Sequence, residues 1–119
     1  IEPLTSGSIL TAIANDIGYE EVFSFQLSMK GSAGDILVVI SASGNSPNII
    51  NAIKMAKKLN MDVIAFVGFD GGEAAKLADL VLHVQDDNYG IVEDCHQALM
   101  HILAQHIREK NNRNDGIKL

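Results

Sequence analysis

Ile36-Leu37-Val38-Val39-Ile40 is an unbroken apolar run, mostly β-branched, and it opens directly into Ser41-Ala42-Ser43-Gly44-Asn45-Ser46-Pro47. Five such residues are too few for a helix, and the absence of alternation predicts a strand over 35–40 buried on both faces. That is the pattern of a central strand in a parallel sheet. A helix is predicted over 46–59, with Ile49, Ile50, Ile53, Ala56 and Leu59 as its buried stripe and Lys54, Lys57 and Lys58 on the opposite face. Pro47 suits the first turn, where its missing N–H removes no helical bond. Strand, short polar loop and helix N-terminus in this order is the arrangement by which parallel sheets bind anions beyond the carboxyl ends of their strands.

The flanking segments extend the pattern. Residues 8–14 predict a short helix with Thr5 or Ser6 near its N-cap, broken by Asn15-Asp16-Ile17-Gly18, and residues 19–29 a second helix with Val22, Phe23, Phe25 and Leu27 apolar. Asn60 is a stop signal, Val63–Val67 a second buried strand, and Gly68–Gly72 a turn. Glu73–Leu77 is a short helix, Leu80–Val84 a third strand and Gln85–Tyr89 a polar loop. A long helix is predicted over 91–109 with Val92, Cys95, Leu99, Ile102, Leu103 and Ile107 inward, followed by a solvated tail from Lys110 to Lys118. Alternating strands and helices predict an α/β fold: a three-layer α/β/α sandwich around a parallel, Rossmann-like or flavodoxin-like sheet. Two leading helices and only three strands make that sheet thin, as if a preceding strand and helix were missing.

Length and composition predict one folded domain over 1–119, with 47% apolar and 20% charged residues. A formal charge of −6 without a basic stripe argues against a nucleic-acid partner. No apolar run approaches the roughly 18 residues of a membrane span, and the first residues show no signal-peptide pattern. The single cysteine, Cys95, forms no internal disulfide and is expected on an apolar helix face, in keeping with a reducing, cytoplasmic setting.

The loop itself carries the chemistry. Ser41, Ser43 and Ser46 each offer a hydroxyl, Gly44 lets the backbone approach closely, and the N–H groups of Asn45, Ser46 and Asn48 lie where the helix dipole favours negative charge. There is no Gly-Lys-Ser/Thr and no triple-glycine spacing, so nucleotide and dinucleotide cradles are not indicated. A capping Ser46 and a turning Gly44 need no ligand. Three serines, a glycine and an asparagine in six positions after a buried strand favour one, and neutral donors suit a small phosphomonoester that must also be released.

Ser41-Ala42-Ser43-Gly44-Asn45-Ser46-Pro47-Asn48 resembles the signature of SIS (sugar isomerase) domains, most closely the phosphoheptose isomerase branch, whose Ser-x-Ser-Gly-Asn-Ser loop follows a Gly-Asp-x-Leu strand as at Gly34–Leu37. Asn15-Asp16-Ile17-Gly18-Tyr19-Glu20 is similar to that branch's Asn-Asp-Phe-Gly-Tyr/Phe segment, and Gly68-Phe69-Asp70-Gly71-Gly72 to its Gly-x-Asp-Gly-Gly turn. The resemblance covers about residues 4–109. It implies a parallel five-stranded sheet, a homotetramer and a small phosphorylated sugar as ligand, with Asn15 and Asp16 near the sugar; Thr5, Ser6 and Ser8 are candidates for contacts from a second loop. It also implies an upstream helix and a glycine-rich segment carrying a catalytic glutamate, neither of which this chain contains.

Glu93, Gln97 and His101 recur in steps of four and so share one side of the last helix. A carboxylate and an imidazole near a phosphate site suit the two proton movements of aldose–ketose isomerisation. The resemblance assigns His101 as the catalytic histidine. Glu93 stands where the branch has a site-lining glutamine that helps bind zinc in some members, and Gly90 where it often has an aspartate; both departures bear on sugar specificity and on catalysis. The implied reaction requires no cofactor. Glu93 and His101 would supply two ligands towards the three or four that zinc takes. His96 and His106 are read as packing or surface residues, and His83 as a strand residue with a backbone partner. Two rivals share the architecture: a non-catalytic phosphosugar-binding or regulatory SIS module, including the type that binds a replication initiator, and a flavin or nucleotide binder. The latter ranks last, because 5% aromatic residues and no tryptophan leave no evident pair to sandwich a flavin.

Overall fold

The structure, a computed structural model, describes residues 1–114. Its sheet is parallel, in the order β1 (Ile36–Ser41), β2 (Asp62–Val67), β3 (Leu80–His83). The register runs from Ile36 opposite Asp62 to Ser41 opposite Val67, and from Ile64 opposite Leu80 to Val67 opposite His83. Ser41, Val67 and His83 therefore form one row at the carboxyl edge, and the loops that follow them emerge side by side.

One face of the sheet carries the core. Leu37 and Val39 of β1 and Val63, Ala65 and Val67 of β2 pack beneath Ile50, Ile53 and Ala56 of α3 (Pro47–Lys58), Leu27 of α2 (Ser24–Lys30) and Ala74 of α4 (Gly72–Leu77). Each fully buried Val, Leu or Ile contributes about 1.5–3 kcal/mol, and this is what seats α3 against the serine loop. Asn60 follows α3 at φ 57, the left-handed stop its residue type predicts. On the other face, α5 (Tyr89–Asn114) lays Val92 over Gly68 and sets the His96 ring edge-on to Phe66, 5.8 Å between centroids. Helices on both faces make the three layers.

The structure corrects several expectations. β1 is buried on one face only: Ile36, Val38 and Ile40 are 58%, 52% and 45% exposed, because β1 is an edge strand and α5 covers Phe66 without reaching it. The strand also starts and ends one residue later than the expected 35–40. The helix placed at 19–29 is two pieces. A single 3-10 turn, Tyr19–Glu21, precedes α2, and the Ser24 hydroxyl turns back on Glu21, bonding its carbonyl at 3.2 Å and its carboxylate. Phe25, read as part of its apolar side, is exposed. Asn15 and Asp16 do not break α1 (Gly7–Asp16) but form its last turn. α5 begins at Tyr89, its first turn tied to Asn88, whose Oδ1 accepts Ile91 N–H at 3.3 Å. Among the described residues of this helix, Val92 and His96 are buried; Cys95 and Leu99 are half-buried, and Ile102, Leu103 and Ile107 are exposed. Residues 110–114 of the expected tail continue α5, and the remainder of that tail lies outside the described residues.

Candidate functional site

Two glycine loops are built into each other at the carboxyl edge. Gly44 sits at φ 66, and a Cβ there would lie 2.1 Å from the Gly71 carbonyl oxygen; Gly72 sits at φ 56, and a Cβ there would lie 2.5 Å from the Ser43 carbonyl oxygen. Left-handed backbone and a contact this close both require glycine. Hydrogen bonds lock the pair: Gly68 N–H to Ala42 O (2.7 Å) and Ala74 N–H to Gly44 O (2.9 Å). Asn45 braces both sides, its Nδ2 donating to Ser43 O at 3.0 Å and its Oδ1 accepting Glu73 N–H at 2.9 Å. Asp70 closes its own turn by accepting Gly72 N–H at 3.1 Å. The serine loop is thus held by the Gly68–Gly72 segment, whose role reached no further than a turn in the sequence.

Ser41 is buried at the last position of β1, and Ser46 is the half-buried N-cap residue of α3 without a side-chain capping bond. Among the described residues neither hydroxyl has a protein partner. Ser43 Oγ accepts Asn45 N–H at 3.3 Å, which leaves its own proton free to donate. The Asn48 side chain is buried and takes Ile49 N–H at 2.8 Å. The loop therefore presents three hydroxyls at the start of a twelve-residue helix, where the dipole favours an anion. The Asn45 backbone N–H and side-chain amide both bond protein atoms, so this residue also shapes the loop.

Beside the loop, Ser43, Asn45, Phe69, Asp70, Gln85, Asp86 and Asp87 line an open depression of about 490 Å³. Three carboxylates make this depression unfavourable for an anion, whereas no carboxylate stands among the six residues from Ser41 to Ser46. Phe69, at φ 49, fixes the depression's wall by donating N–H to Asp86 O at 2.9 Å and packing on Tyr89, 4.7 Å between rings.

Most of the other predicted residues have hydrogen-bond partners of their own, away from the serine loop's polar groups. Asn15 bonds Asp16 at 2.8 Å on the exposed end of α1, and Ser6 bonds Ser8 at 3.3 Å. Glu93, Gln97 and His101 share one exposed side of α5, with Gln97 Nε2 donating to His101 Nε2 at 3.2 Å. No hydrogen bond joins any of these to the serine loop among the described residues. Among the described residues no three or more His, Cys, Asp or Glu side chains gather into a metal site. His83 has the backbone partner expected of it, Phe69 O at 2.9 Å. At the opposite, amino edge of the sheet Asp79 receives Lys57 and, at 2.7 Å, the Val63 N–H; Lys57 first and then this amide hold its carboxyl below the usual range.

Residues 3–68 match the family model described as SIS domain. A protein of Sulfurimonas denitrificans named phosphoheptose isomerase is 50% identical over 113 residues, a match covering 95% of this chain and 57% of that protein. Another of that name, from Nitratidesulfovibrio vulgaris, is 45% identical over 85% of this chain and 49% of its own length. The solved structure of phosphoheptose isomerase from Neisseria gonorrhoeae superposes with a TM-score of 0.84 at 43% identity, covering 87% of this chain and 59% of that one. The chain spans about half to three fifths of the length of these relatives.

Proposed function

This chain belongs to the SIS domain family, and from that we propose that it forms the phosphosugar-binding part of an aldose–ketose isomerase of the phosphoheptose isomerase type, acting on a sugar like sedoheptulose 7-phosphate. The observation that carries the reading is the set of Ser41, Ser43 and Ser46 hydroxyls, free to donate, on a loop made rigid by Gly44, Asn45 and the Gly68–Gly72 turn. Neutral donors and a helix terminus hold the phosphate, and binding there fixes the sugar's reacting carbons without a basic residue that would slow release. Isomerisation then moves one proton between adjacent carbons and another between their oxygens. His101 is the residue assigned to this work, with the Gln97 amide donating to its Nε2. Glu93 lies on the same side of α5 and stands next to His101 in the reading.

The reaction proceeds without a cofactor in this reading, and no step is routed through a metal. Homo-oligomeric assembly, as a tetramer, is part of the proposal. It is supported by the exposed Ile36, Val38 and Ile40 on the sheet and Ile102, Leu103 and Ile107 on α5, apolar surface that water disfavours. A cytoplasmic location is proposed in keeping with the single half-buried cysteine; no helix among the described residues is long and apolar enough to cross a membrane. One observation favours a second reading, a non-catalytic phosphosugar-sensing module: His101 and Glu93 are exposed and unconnected to the loop.

The test is solvent deuterium exchange at the carbon next to the carbonyl, run with full-length protein and a panel of heptose, hexose and pentose phosphates. Exchange into a heptose phosphate supports the isomerase. Binding without exchange across the panel supports the sensing module, and neither binding nor exchange overturns both.

A further inference from the structure

His96, which the sequence reads as a packing or surface residue, carries the one side-chain hydrogen bond that joins α5 to another element among the described residues. It is 2% exposed, its Nε2 lies 3.0 Å from Val67 O, and its Nδ1 is buried without a partner. A carbonyl only accepts, so the proton resides on Nε2. Val67 is the last residue of β2, and the next residue, Gly68, donates its N–H to Ala42 O of the serine loop at 2.7 Å. Two hydrogen bonds at consecutive residues therefore run from α5 to the loop that holds the phosphate.

We infer that His96 is a positioning residue: it fixes the rotation and axial register of α5 against β2, and thereby the polar stripe of Glu93, Gln97 and His101 relative to the serine loop. This rests on the isomerase reading for the stripe's role, not for the clamp itself. The neighbouring contact, Val92 over Gly68, is apolar and non-directional, so it resists separation more than rotation. The Phe66 ring meets His96 edge-on and limits where the imidazole can lie. At about 100° per residue the stripe lies roughly 60–140° round the helix from His96. A 20° rotation about the axis would move a side-chain tip at a radius of about 6 Å by about 2 Å. Misplacement of about 1 Å is enough to cost on the order of 100-fold in rate.

His96→Met keeps length and apolar packing but removes the donor, and His96→Gln keeps a donor near the Nε2 position. In full-length protein the inference predicts that His96→Met lowers kcat for the phosphosugar by roughly 100-fold, with KM and the affinity for inorganic phosphate little changed, and that His96→Gln restores most of the loss. Independently of turnover, ¹⁵N spectra of the wild type should show the Nε2–H tautomer at His96, and amide exchange in the first turns of α5 should rise in His96→Met while that of β1 and β2 stays unchanged. Undiminished kcat in a folded His96→Met, or phosphate affinity falling in step with kcat, overturns the inference. So does unaltered exchange in α5. A wild type that lacks turnover but shows the tautomer and the selective loosening of α5 overturns the isomerase reading and leaves the clamp standing.

Discussion

Replacing Gly44 by alanine tests whether the two loops are one unit, and Gly34 provides the control. Both glycines have left-handed backbone, at φ 66 and φ 87, but a Cβ at Gly34 meets nothing within 4 Å. Gly34→Ala therefore carries only the backbone strain of about 1–2 kcal/mol, partly offset by the roughly 0.4–1 kcal/mol that alanine removes from the unfolded chain's freedom. Gly44→Ala adds a Cβ 2.1 Å from a backbone oxygen that cannot swing aside. Forcing the loops apart adds about 1–3 kcal/mol of overpacking. It also stretches the bonds from Ala74 N–H to Gly44 O and from Glu73 N–H to Asn45 Oδ1, each worth about 1 kcal/mol. The gap between the two variants should be about 3–5 kcal/mol, read by thermal unfolding as roughly 12–20 °C at about 4 °C per kcal/mol. Phosphate affinity should fall in Gly44→Ala and hold in Gly34→Ala. If Gly44→Ala melts within about 3 °C of Gly34→Ala, the loops are not locked and the argument for a prebuilt site fails.

Other substitutions separate binding from scaffolding. Ser46→Ala, which removes a hydroxyl with no protein partner, should leave stability within about 0.5 kcal/mol yet weaken phosphosugar binding by about 1.5–3 kcal/mol in calorimetric titration; Ser43→Ala should weaken it similarly, with little loss of fold. Asn45→Ala should do the reverse first, lowering stability by about 1–3 kcal/mol through the bonds lost to Ser43 O and Glu73 N–H, measured by chemical denaturation. Lys57 and the Val63 amide depress the Asp79 carboxyl in the fold, so the unfolded chain takes up that proton at the higher pH. The resulting stability is complete above the ordinary carboxylate range, near pH 4, and is lost as pH falls through the folded value. Asp79→Asn should therefore flatten that acid limb, and a limb unchanged by the substitution would contradict the assignment.

The serine loop was legible because every signal for it is local: an apolar run, hydroxyls, a glycine and a capping position within a dozen residues. Burial was harder. Ile36, Val38 and Ile40 read as core because an apolar run reports what a strand can bury, and only tertiary structure shows whether anything covers it. The same holds for Ile102, Leu103 and Ile107 of α5, apolar at helical spacing yet exposed among the described residues. The bracing role of Asn45 had no local signal, since its partner, Glu73 N–H, lies 28 residues away. Gly71 and Gly72 announced a turn, but not that the turn would press against Gly44. The tie from His96 to Val67 spans 29 residues and has no local signature.

The central claim is that neutral hydroxyls at the start of α3 receive a phosphate monoester. Titrating ¹⁵N-labelled protein with sedoheptulose 7-phosphate and following every backbone amide tests it most directly. The account predicts saturable shifts centred on Ser43, Asn45, Ser46 and Asn48, abolished in Ser43→Ala/Ser46→Ala and unaffected by Asp87→Asn. Shifts centred on Asp70, Asp86 and Asp87, or saturation unchanged by loss of the two serines, would contradict it.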